Sequence, residues 1–61
     1  MKNTWRIEQE PNGWSLYRNR RIYAYEYPDI DEAAATVRRK DGKGVKILVV
    51  AIDGRTHTVT T

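Results

Sequence analysis

The chain has 61 residues, 39% of them hydrophobic, and no cysteine. That length allows a single domain spanning residues 1–61, and a chain this short buries only about 60% of the surface its unfolded form exposes. Eleven Lys and Arg against eight Asp and Glu give a net charge of +3, a value that admits a nucleic-acid partner without requiring one.

The remaining composition narrows the classes further. One His and no Cys offer no ligand set for structural zinc, so no metal and no cofactor are expected. The longest apolar run, residues 45–52, is interrupted by Lys46 and falls well short of the ~18 residues a membrane span needs. No apolar stretch follows Met1, Lys2 and Asn3, so no leader peptide is expected, and the lack of Cys fits a reducing compartment. The expectation is a cytoplasmic domain with no membrane association.

Residues 4–9 alternate apolar and polar around Trp5 and Ile7, the pattern of a half-buried strand. Pro11-Asn12-Gly13 marks a tight turn, and a second strand follows over residues 14–18. Asn19-Arg20 closes a hairpin onto a third strand, residues 21–27. With a two-residue turn, Leu16 lies opposite Tyr23 and Trp14 opposite Tyr25. Trp5, Ile7, Trp14, Leu16, Tyr23 and Tyr25 then share one face. The other face carries Arg6, Glu8, Ser15, Tyr17, Ile22, Ala24 and Glu26, and Tyr17 and Tyr27 are left freer than the core tyrosines.

Asp29 and Glu32 have the spacing of a capping box, and the acidic cluster Asp29, Asp31 and Glu32 suits a helix N-terminus. Ile30, Ala33, Ala34 and Val37 fall on one stripe, Arg38, Arg39 and Lys40 occupy the last turn, and Gly42 or Gly44 ends the helix. Residues 45–52 then read as a strand apolar on both faces, with Val45, Ile47, Val49 and Ala51 on one side and Leu48, Val50 and Ile52 on the other. Asp53-Gly54 turns it onto a last strand, residues 55–59. The fold class expected is α+β: an antiparallel sheet in the order β-β-β-α-β-β with one helix on its aromatic face.

Gly13-Trp14 entering a strand, the helix start at Asp31-Glu32-Ala33-Ala34 and the hairpin at Asp53-Gly54-Arg55 together resemble a family. It is a set of small prokaryotic and phage domains of unknown function with ββαββ order, and the resemblance covers roughly residues 4–59. These motifs are structural, so the likeness implies a fold and brings no site with it. The shorter helix and the tyrosine-rich third strand depart from that pattern. A weaker similarity, resting on topology and the Ala-rich helix start, is to the three-stranded sheet and helix with which phage integrases read arm-site DNA; the last hairpin has no counterpart there.

Catalysis finds no support in the residues. His57 stands alone in a strand, with no nucleophile or ligand at a recognised spacing, and 61 residues leave little space to enclose a small-molecule substrate. No catalytic residue is assigned. Two basic groups are candidate nucleic-acid contacts: Arg18, Arg20 and Arg21 at the second hairpin, and Arg38, Arg39, Lys40, Lys43 and Lys46 around the helix end. Leu48, Val50, Ile52 and Val59 are candidates for self-association, because one short helix covers only one side of the sheet. The function expected is a non-enzymatic protein-interaction or regulatory module of phage or prokaryotic type, a homodimer or bound to a protein partner; the alternative is a nucleic-acid-binding accessory protein.

Overall fold

The computed structural model describes residues 2–61. Five strands and one helix follow one another as β1 (Trp5–Glu10), β2 (Gly13–Arg18), β3 (Arg21–Tyr27), α1 (Ile30–Asp41), β4 (Lys46–Val50) and β5 (Thr56–Thr60). The strands form one sheet in the order β3-β2-β1-β4-β5. β1 pairs in parallel with β4, and every other neighbour is antiparallel. The sheet is therefore mixed, which corrects the purely antiparallel expectation. The reason is the crossover: α1 returns the chain past β2 and β1, so β4 enters beside β1 running in the same direction.

Trp5, Ile7, Leu16, Ala33, Val37, Ile47 and Val49 form the buried core between sheet and helix. Ile30 and Ala34 pack at its margin, so the stripe read from the sequence is the buried face of α1. Asp29 caps the helix by accepting a hydrogen bond from the Glu32 amide at 2.9 Å. Gly42, at φ 87°, ends it and donates to the Arg38 carbonyl at 2.8 Å. The acidic cluster is a helix start.

β3 departs from the expected register. The hairpin turn at Asn19-Arg20 does bring Arg18 opposite Arg21 and Tyr17 opposite Ile22. Two irregularities then slide the strand, so that Leu16 meets Ala24 and Trp14 meets Tyr27. Each inserts one extra residue into β3, as a β-bulge does. Tyr25 is thereby turned out to 68% exposure, and Ala24 moves to the helix side, opposite to expectation. Tyr27 takes the place expected for Tyr25. It packs on the core, and its hydroxyl donates to Thr36 Oγ1 at 3.0 Å. Tyr23 remains against the core, edge-on to Trp5 with ring centroids 5.5 Å apart.

The last hairpin is wider than a two-residue turn. β4 ends at Val50, and the loop over residues 51–55 is closed by hydrogen bonds from the Ala51 amide to the Arg55 carbonyl and from Gly54 to the Ala51 carbonyl. Gln9 Oε1 accepts from the Ile52 amide at 3.0 Å and ties this loop to the end of β1.

Candidate functional site

Each element crosses the molecule once, and this fixes where the charges fall. β1 starts, the β2–β3 hairpin turns, α1 ends and β4 starts all at one end of the sheet. That end collects the cations. Lys2 precedes β1, Arg18, Arg20 and Arg21 flank the hairpin tip, Arg38, Arg39 and Lys40 close the helix, and Lys43 and Lys46 lead into β4. Nine of the eleven Lys and Arg of the chain stand there, with Asp41 as the one carboxylate side chain among the described residues at that end. Glu10, Glu26, Asp29, Asp31, Glu32 and Asp53 gather at the other end, where Arg55 is the one cation among the described residues. The two basic groups that lie far apart in sequence form a single patch.

Hydrogen bonds hold that end together. The Thr4 amide donates to Asn19 Oδ1 at 2.8 Å, and the Asn19 amide donates to the Thr4 carbonyl at 2.7 Å. Asn19 Nδ2 donates to Asn3 Oδ1 at 2.9 Å, and Asn3 Nδ2 in turn donates to both Asp41 oxygens at 3.2 and 3.1 Å. The hairpin tip is thus strapped through Asn3 to the helix terminus. Lys2, Lys43 and Lys46 border a shallow groove beside Asp41.

Not every cation in the patch is equally available. The Arg18 guanidinium lies 4.8 Å from the Tyr23 ring centroid and 5.9 Å from that of Trp5, so it covers the core margin. Arg39 donates to Thr36 Oγ1 at 3.0 Å. Arg20, Arg21, Arg38, Lys40, Lys43 and Lys46 are exposed and enter none of the ion pairs or side-chain hydrogen bonds among the described residues.

The open sheet face holds the second candidate group. Thr58, Leu48, Arg6, Tyr17 and Ile22 form one row across all five strands. Arg6 Nε is 2.6 Å from Glu8 Oε2, and its guanidinium lies 4.7 Å from the Tyr17 ring centroid. This charged pair separates Leu48 and Val50 on β4 from Ile22 on β3. Leu48 and Ile52 are exposed as expected. Val59 is not on this face: it pairs with buried Ile47 and packs against the core, because β5 follows β4 without a register break. On the sheet the apolar patch reduces to Leu48 and Val50, with Ile52 exposed in the loop that follows.

His57 is exposed on β5 opposite Val49, and among the described residues no three His, Cys, Asp or Glu side chains are grouped to hold a metal ion. No described helix is long and apolar enough to cross a membrane. No family model matches the chain, and neither the curated proteins nor the solved structures include a match to it.

Asp41 is the residue that sequence reasoning passed over. In the sequence it only interrupts a run of cations. Its spacing from Asn3 gives no local signal, because the contact between them forms only once α1 has crossed the sheet.

Proposed function

We propose that the chain is a non-catalytic binding domain that holds the phosphate backbone of a nucleic acid against its basic end. The convergence of the hairpin and helix-end cations carries this reading. A helix C-terminus attracts Lys and Arg through its dipole, which accounts for Arg38, Arg39 and Lys40. It does not account for Arg20, Arg21, Lys2 or Lys46, which come from other elements and reach the same end. Several free cations on one rigid surface can each displace a counterion from a phosphate backbone, and affinity then falls steeply with salt.

Fluorescence anisotropy with short DNA and RNA oligonucleotides tests the reading at roughly 50 and 200 mM salt. Affinity should drop steeply between the two. Reversing Arg21, Arg38 and Lys43 to Glu together should abolish binding and leave the circular dichroism spectrum unchanged. Arg55→Glu, at the acidic end, should leave affinity as it is. An Arg55 reversal as damaging as the triple change would overturn the assignment to the basic end, and no binding at the lower salt would remove the function.

A further inference from the structure

The two edges of the sheet are built differently. β3 is interrupted by two register shifts, carries Arg21 and Glu26 with Glu26 at φ 64°, and runs into Pro28. Bulges, charges and proline are the usual means of keeping an edge from pairing with another strand. β5 has none of them. It runs Thr56-His57-Thr58-Val59-Thr60, with no Lys, Arg, Asp, Glu or Pro, and pairs with β4 over five consecutive residues without a shift.

The ladder shows which backbone groups of β5 are free. The Ala51 amide donates to the Arg55 carbonyl, and the Thr61 amide donates to the Val45 carbonyl. Hydrogen-bonded pairs alternate along an antiparallel ladder, so His57 and Val59 also point their amides and carbonyls at β4. Thr56, Thr58 and Thr60 therefore point theirs outward, along the open edge.

We infer that β5 pairs antiparallel with β5 of a second copy of this chain, about a twofold axis at Thr58. In that register Thr58 faces its own copy, and Thr56 faces Thr60 on both sides. Every outward amide then meets an outward carbonyl, and no other residue of the strand has to turn. The three threonines lie on the open face, since Thr58 is opposite exposed Leu48, and directly opposed threonines are favourable cross-strand neighbours. The twofold axis also sets each basic end beside the acidic end of its copy, so the charge distribution of one chain complements that of the other. A peptide of another protein could use the same strand-addition chemistry, but the self-complementary register and the bipolar charge favour a second copy.

Sedimentation equilibrium at micromolar to millimolar concentration, with amide hydrogen exchange, tests this. The parent should reach about twice its 7.1 kDa monomer mass, and the amides of Thr56, Thr58 and Thr60 should become protected as it does. Thr58→Pro removes one outward amide and no β4 bond, so the chain should stay folded while the dimer dissociates. Thr58→Lys sets two like charges opposite each other at the axis and should also give a folded monomer, which decides the matter if the proline variant fails to fold. A parent that stays monomeric throughout the range would overturn the pairing. So would a dimer that survives both Thr58 changes but separates with Leu48→Asp, because the open face would then be the interface.

Discussion

Trp5 Nε1 donates a 2.8 Å hydrogen bond to Asp41 Oδ2, joining the first residue of β1 to the last residue of α1. This contact and the two from Asn3 hold the Asp41 carboxyl below its ordinary pKa, and the positive charge of Arg18 adds to the effect. The carboxylate that breaks the run of cations in the sequence is the one that fastens the helix end over the core.

The first prediction concerns pH. A carboxyl whose pKa is lower folded than unfolded adds stability above the unfolded value, and that stability is lost as pH falls toward the folded value. The parent should therefore lose stability on acidification below about pH 4, the ordinary carboxyl range. Asp41→Asn keeps an acceptor for Trp5 but has no charge to lose, so its contribution to the acid limb should vanish. Urea unfolding at several pH values should show the two proteins converging as the solution is acidified. A gap that stays constant down to about pH 2.5 would mean that the Asp41 charge takes no part.

The second prediction separates the tyrosines. Trp5 is a 2% exposed member of the core, and Trp5→Ala should cost about 3–5 kcal/mol. That is a large fraction of the stability of any small domain. Tyr25, at 68% exposure, should tolerate Ala within about 0.5 kcal/mol. Tyr27→Ala should fall between them, since its ring packs on the core and its hydroxyl reaches Thr36. Thermal melts rank the three. A Tyr25 variant as damaged as the Tyr27 variant would restore the uninterrupted register.

That register is where the sequence was least legible. The elements themselves follow from local signals: the alternation around Trp5 and Ile7, the Asp29 cap, the stripe from Ile30 to Val37. Their type and order stand in the structure as read. A bulge leaves no such mark, because Tyr23, Ala24, Tyr25, Glu26 and Tyr27 alternate plausibly in either register. Placing β4 beside β1 is likewise non-local, although the apolar pattern on both faces of β4 does fit an inner strand. The basic end was within reach of sequence reasoning. Once each element is taken to cross the molecule once, Arg20 and Lys43 must fall at the same end.

Gly13 gives the third prediction. It sits at φ 134°, and a Cβ there would stand 2.5 Å from the Tyr27 carbonyl oxygen. That atom is backbone, held by the β2–β3 pairing of Trp14 with Tyr27, and cannot swing aside. Gly13→Ala should therefore cost more than the about 1 kcal/mol expected from conformational preference alone. Gly54 also has positive φ, 90°, but nothing lies within 4 Å of an added Cβ. Gly54→Ala should show only the conformational cost. Equal losses in the two variants would show that the close approach to Tyr27 does not matter.

The last prediction sets stability against binding at Arg20. Asn19 and Arg20 turn the β2–β3 hairpin with φ values of 53° and 69°, the left-handed pair that a two-residue hairpin favours. Asn tolerates that region, but arginine is strained there and glycine is the residue that fits. Arg20→Gly should therefore raise the unfolding free energy, by about 0.5–1 kcal/mol, even though it removes a side chain. The arginine is exposed and makes no side-chain hydrogen bond or ion pair among the described residues, so it returns nothing to the fold for its strain. What it presents at the tip of the basic end is its charge. If that charge meets a phosphate, the glycine variant should melt higher, bind nucleic acid more weakly and show a shallower salt dependence by about one counterion. A variant that is more stable and binds as well as the parent would place Arg20 outside the contact surface.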